Sequence, residues 1–101
     1  MTKKIARYDF EIVIGDDVRQ EFVFPEAFPL NVFSKVEVIL DDENKTSFIL
    51  TISGQSLFWI IPSSYTLTLR KEPVKYECKF TFLSDETVNT IFVGEIIPFV
   101  L

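Results

Sequence analysis

Large apolar and polar side chains alternate along most of this chain. In Tyr76-Glu77-Cys78-Lys79-Phe80-Thr81-Phe82, the residues Tyr76, Cys78, Phe80 and Phe82 fall on one side and Glu77, Lys79 and Thr81 on the other. Successive side chains of an extended chain point to opposite faces, so this period of two predicts a strand with one buried face. Ser84-Asp85-Glu86-Thr87 follows with short side chains that hydrogen-bond nearby backbone, and Val88 to Ile97 resumes a β-branched, extended pattern. The two runs predict a β-hairpin around which the rest of the chain is arranged.

The same alternation recurs upstream. Ile5 to Ile14 places Tyr8, Phe10, Ile12 and Ile14 on one face, and Val18 to Phe24 places Val18, Gln20, Phe22 and Phe24 opposite Arg19, Glu21 and Val23. With Gly15-Asp16-Asp17 as a turn between them, these runs predict a first hairpin. Pro25 and Pro29 remove ladder donors, so Pro25 to Asn31 is expected as a loop from which Phe28 and Leu30 tuck inward. Lys35 to Asp41 is the next strand, with Val36, Val38 and Leu40 inward. Asp42-Glu43-Asn44-Lys45 turns the chain, and Thr46 to Ser53 returns with Phe48, Leu50 and Ile52 inward. Leu57-Phe58-Trp59-Ile60-Ile61 is apolar on both faces, which predicts a strand covered on both sides. Ser64 to Arg70 reads either as β or as a short helical turn capped by Ser63 or Ser64 that bridges two sheets.

Short strands separated by turns, with no long helical pattern, predict an all-β fold. The expectation is an antiparallel immunoglobulin-like β-sandwich of about seven or eight strands with at most one short helical turn. Its 101 residues are expected to form one domain. An apolar fraction of 48 %, with 11 Phe, suffices for an aromatic-rich core. The net charge of −5, with the basic residues scattered, argues against a nucleic-acid groove or docking on an anionic membrane. Arg7 and Asp9 interrupt any signal-peptide core, and no apolar run is long enough to span a bilayer as a helix, so a soluble, unexported chain is expected.

Histidine is absent, which removes the commonest general base, the commonest zinc ligand and every Ser-His or Cys-His pair. The single cysteine, Cys78, lies on the apolar face of its strand and reads as a buried hydrophobe; it excludes an intrachain disulfide. Asp16-Asp17, Asp41-Asp42-Glu43 and Asp85-Glu86 sit at predicted turns without the order of a calcium loop, so solvated hairpin tips are expected. No catalytic residue, metal site or cofactor is expected, and the chain reads as a non-enzyme.

Two features point to binding. Phe58 and Trp59, with Tyr65 nearby, could form an aromatic platform for a sugar, although core packing also explains them. Trp59 shares a face with Leu57 and Ile61, so Phe58 and Ile60 face the other way and need a covering element or a partner. Phe99, Val100 and Leu101 either fold back into the core or dock on another protein.

The whole layout resembles a phage tail β-sandwich family that includes attachment proteins for L-shaped tail fibres and small baseplate sandwich domains. The matching features are Phe10-Glu11-Ile12-Val13-Ile14-Gly15-Asp16-Asp17 before a Phe-containing strand, Asn31-Val32-Phe33 leading to Ile39, the Tyr76 to Phe82 strand, and Val93-Gly94-Glu95-Ile96. Where that family often has a glycine before its penultimate strand, this chain has Lys71-Glu72-Pro73. The resemblance implies a structural virion protein of the tail, made in the bacterial host cytoplasm. Its implied partners are other tail or baseplate proteins; a homo-oligomer is a separate expectation. The alternative is a carbohydrate- or ligand-binding sandwich using Trp59 and Tyr65.

Overall fold

The computed structural model describes residues 6–101. In chain order the strands are β1 (Ala6–Arg7), β2 (Phe10–Val13), β3 (Val18–Val23), β4 (Phe33–Leu40), β5 (Ser47–Ile49), β6 (Thr51–Ser53), β7 (Ser56–Ile61), β8 (Val74–Phe82) and β9 (Val88–Phe99). A 3-10 turn, Leu30–Val32, leads into β4, and a one-turn helix α1 (Ser63–Thr66) follows β7. The helical alternative for the segment after Pro62 is therefore the one adopted. Ser63 and Ser64 do not cap it: Pro62 is the N-cap residue, and the Ser63 N–H donates instead to Asp17 Oδ1 at 2.6 Å.

The larger sheet has the order β1-β9-β8-β4-β5, with β2 also on β9, and the smaller has the order β3-β7-β6. The fold is thus the all-β sandwich that the alternation requires, with immunoglobulin-like strand order. The predicted β8–β9 hairpin lies at the centre of the larger sheet. Its turn uses the expected chemistry, with Asp85 Oδ1 accepting the Thr87 N–H at 3.0 Å. The inward residues Val36, Val38, Leu40, Leu57, Trp59, Ile61, Tyr76, Cys78 and Phe80 form the core between the sheets with Phe92 and Ile96. Leu30 is fully buried, and Phe28 stacks between Phe24 and Phe33.

Three expectations are corrected. The first two predicted strands do not form a hairpin, and the fold is not purely antiparallel: β1 and β2 run parallel to β9 in the larger sheet, while β3 pairs antiparallel with β7 in the smaller. The chain changes sheets at Gly15 (φ 98°), where α1 holds the crossover. The Thr66 hydroxyl accepts the Gly15 N–H at 3.1 Å and has the Asp16 carbonyl at 2.9 Å as its acceptor. The first predicted strand is also broken at Tyr8-Asp9, and its expected start at Ile5 lies outside the described residues.

The returning strand from Thr46 to Ser53 likewise divides at Leu50. β5 stays with β4, and β6 crosses to pair with β7. Leu50 is buried at the crossing, and its N–H donates to the Val36 carbonyl at 2.9 Å. The two divisions explain why the expected seven or eight strands become nine segments. The last strand also runs further than predicted, to Phe99. Pro98 fits there because β8 reaches only to Val74, opposite Ile96, so among the described residues no strand faces the side on which Pro98 lacks its donor.

Candidate interaction surface

The smaller sheet packs one face against the core and leaves the other open. Along β7, Leu57, Trp59 and Ile61 are fully buried, while Phe58 is half-buried and Ile60 is 53 % exposed. Register sets their neighbours: Ile60 lies beside Arg19, Phe58 lies between Glu21 and Thr51, and Ser56 lies beside Val23, which is 73 % exposed. The Arg19 guanidinium stands 4.6 Å above the Phe58 ring, a cation–π contact that partly covers it. Ser56 Oγ donates to Glu21 Oε2 at 2.8 Å. Among the described residues no element packs over Ile60, Val23 and the exposed part of Phe58. The strand expected to be covered on both faces is therefore covered on one.

The structure removes Trp59 from any ligand platform. Its side chain is fully buried among Phe10, Phe48 and Tyr76, with ring centroids 5.6, 6.1 and 5.1 Å away. No sugar can reach a ring enclosed in this way, so the aromatic platform is corrected to core packing. Its indole N–H is buried and finds no acceptor among the described residues. Tyr65 is separate from Phe58. It follows β7 in α1, half-buried, with its hydroxyl donating to Asp42 Oδ2 at 3.0 Å. It lines a groove of about 450 Å³ with Asp41, Glu43, Thr68 and Arg70.

Burial, with the Asp42 contact added, pushes the Tyr65 phenol well above its ordinary range. Burial also opposes the charge on Asp42, yet hydrogen bonds from Thr46, Tyr65 and Asn44 outweigh it and hold that carboxyl below the usual value. Asp42 is thus committed to its own turn, where its Oδ1 accepts the Thr46 N–H at 2.9 Å. Cys78 is fully buried, which drives its thiol upward and away from thiolate chemistry. Among the described residues no three acidic or Cys side chains converge as a metal site. No described helix is long and apolar enough to cross a membrane.

The C-terminal residues divide between the two expected behaviours. Phe99 belongs to β9 opposite Val13, and its carbonyl accepts the Ile14 N–H at 2.9 Å. Val100 and Leu101, in contrast, are 58 % and 94 % exposed. Phe58 and Phe99 lie in different sheets, so the proposed interface residues do not form one patch.

Nothing in the sequence marks Gln55, which stands between the Thr46 to Ser53 and Leu57 to Ile61 runs, as a residue with a role. Its side-chain amide donates to the carbonyls of Pro25 at 2.8 Å and Phe28 at 3.0 Å, while its Oε1 accepts the Leu30 N–H at 3.3 Å. This one side chain fixes the proline loop against the smaller sheet. The only sequence signal was a long amide next to the glycine of a tight turn. Comparison of the chain with models of known protein families finds no match, and comparison with curated proteins finds none.

Proposed function

We propose that this protein is a non-enzymatic structural component that acts by protein–protein contact. Its proposed setting is a phage tail, where it joins a tail fibre or receptor-binding protein to the tail or organises a baseplate component. The virion tail is then its location, after synthesis in the host cytoplasm. The observation that carries the contact reading is the open outer face of the β3-β7-β6 sheet, where Val23, Ile60 and the exposed part of Phe58 lie on the side opposite the packed core. The tail setting rests on the resemblance of Phe10–Asp17, Asn31–Ile39, Tyr76–Phe82 and Val93–Ile96 to tail sandwich domains.

The test is affinity capture from disrupted virions, using the wild-type chain and an Ile60→Asp variant as baits. The expected result is one fibrous or baseplate protein recovered in fixed ratio by the wild type and lost with Ile60→Asp. Equal recovery by both baits would remove this face from the reading. Recovery of no tail protein by either bait would overturn the adaptor function.

A further inference from the structure

We infer that β3 pairs edge to edge with β3 of a second copy of this chain, in one register fixed by Arg19 and Glu21. The edge is distinct from the open sheet face, and the inference stands without the tail-adaptor reading.

Backbone direction comes first. The Phe24 N–H donates to the Gln55 carbonyl at 2.8 Å, and Val18 to Val23 pair in sequence with Ile61 to Ser56. Antiparallel ladders alternate, so Val18, Gln20 and Phe22 aim their backbone groups at β7 while Arg19, Glu21 and Val23 aim theirs away. Among the described residues no strand lies on that outward side. The Glu21 carbonyl there accepts only the neighbouring Gln20 side-chain amide, at 3.3 Å.

Edges are usually protected by shortness, proline, charged side chains, lysine above all, or a bulge. The edges formed by β5 and β6 are three residues long, and the β1/β2 edge is broken at Tyr8-Asp9. β3 has six residues in unbroken register, with no proline, lysine or bulge. It is the longest continuous open edge in the described fold.

Charge then selects the occupant and the register. Two copies of β3 meeting antiparallel about a two-fold axis must place outward residues opposite outward residues. Centring on Glu21 sets two carboxylates opposite each other, and centring on Arg19 sets two guanidinium groups opposite, both unfavourable. Centring on Gln20 sets Arg19 opposite Glu21 of the second copy, and Glu21 opposite its Arg19. Both side chains already lie on the outer face, Glu21 held by Ser56 and Arg19 over Phe58. This register gives two cross-strand ion pairs and about four backbone hydrogen bonds. It joins the two three-stranded sheets into one of six strands.

The test combines charge swaps with a cross-link. In sedimentation at low salt the wild type should show a concentration-dependent dimer. Arg19→Glu and Glu21→Arg should each weaken it on the order of tenfold or more, and the Arg19→Glu/Glu21→Arg double swap should restore it. In the proposed register Gln20 faces its own mate at a Cα separation of about 4.5 Å, within disulfide range, so Gln20→Cys should cross-link on mild oxidation. Buried Cys78 leaves the wild type without a competing link. A wild type that stays monomeric up to millimolar concentration would overturn the inference. So would single swaps that leave the dimer unchanged, a double swap that fails to restore it, or an uncross-linked Gln20→Cys dimer.

Discussion

A β-carbon at position 94 falls 1.8 Å from the carbonyl oxygen of Tyr8 and 2.7 Å from Tyr76 Oη. The Tyr8 carbonyl lies there because the strand breaks at Tyr8-Asp9. Asp9 Oδ1 takes the Glu95 N–H at 2.8 Å, and the Tyr8 carbonyl accepts the buried Tyr76 hydroxyl at 2.6 Å. Gly94→Ala forces backbone against backbone, so its cost should exceed the roughly 3 kcal/mol at the top of ordinary overpacking. Calorimetry should record a fall in Tm of roughly 10 °C or more relative to wild type. A fall of only a few degrees would mean that the β1–β2 junction moves aside cheaply. None of this is legible in the sequence. Tyr8-Asp9, Tyr76 and Gly94 are far apart along the chain, and Gly94 stands out there only as part of Val93-Gly94-Glu95-Ile96.

At the scale of elements, legibility follows how local each constraint is. The β8–β9 hairpin could be read because its turn and both alternating faces are contiguous, and the Lys35–Asp41 strand could be read for the same reason. Pairing partners could not, because Gly15-Asp16-Asp17 looks the same whether the chain folds back in one sheet or crosses to the other. What decides between them is Thr66, a fully buried side chain in α1 that binds the Gly15 N–H. Thr66→Val keeps the shape but leaves that N–H and the Asp16 carbonyl without their partner. It should destabilise by about 1 kcal/mol, the lower end of the cost of an unsatisfied group, because the Gly15 N–H is only partly buried and Asp16 is exposed. Amide exchange separates this from a general loss of packing: Gly15 should exchange faster by more than the global change accounts for. Uniform acceleration across the protein would assign Thr66 a packing role alone. The open face of β7 shows the converse limit. Its two-sided apolar pattern was legible, but whether the chain itself covers Phe58 and Ile60 depends on elements elsewhere.

Over the whole molecule, β9 is the strand that closes the fold, since it pairs with β8 on one side and with β1 and β2 on the other. Phe10 lies opposite Ile96 and Val13 opposite Phe99, so the first described strands are held by the last. Such pairing closes nearly the whole chain into one loop, which makes it an entropically costly contact. Its stability therefore depends on the final residues of β9. Removing Pro98 to Leu101 takes away the partners of Ile12 and Val13 and the acceptor of the Ile14 N–H. The sequence alone leaves Phe99, Val100 and Leu101 either folding back into the core or docking on another protein. The register instead predicts that the truncation lowers stability by about 2 kcal/mol or more, from lost ladder bonds and the exposure of buried Ile12. Replacing only the exposed pair, Val100→Ser with Leu101→Ser, should leave stability within about 0.5 kcal/mol. Urea denaturation of both variants beside wild type separates the two roles. A stable truncated form would show that β2 holds its place without the end of β9, whereas an unstable Val100→Ser/Leu101→Ser variant would place those side chains against the fold.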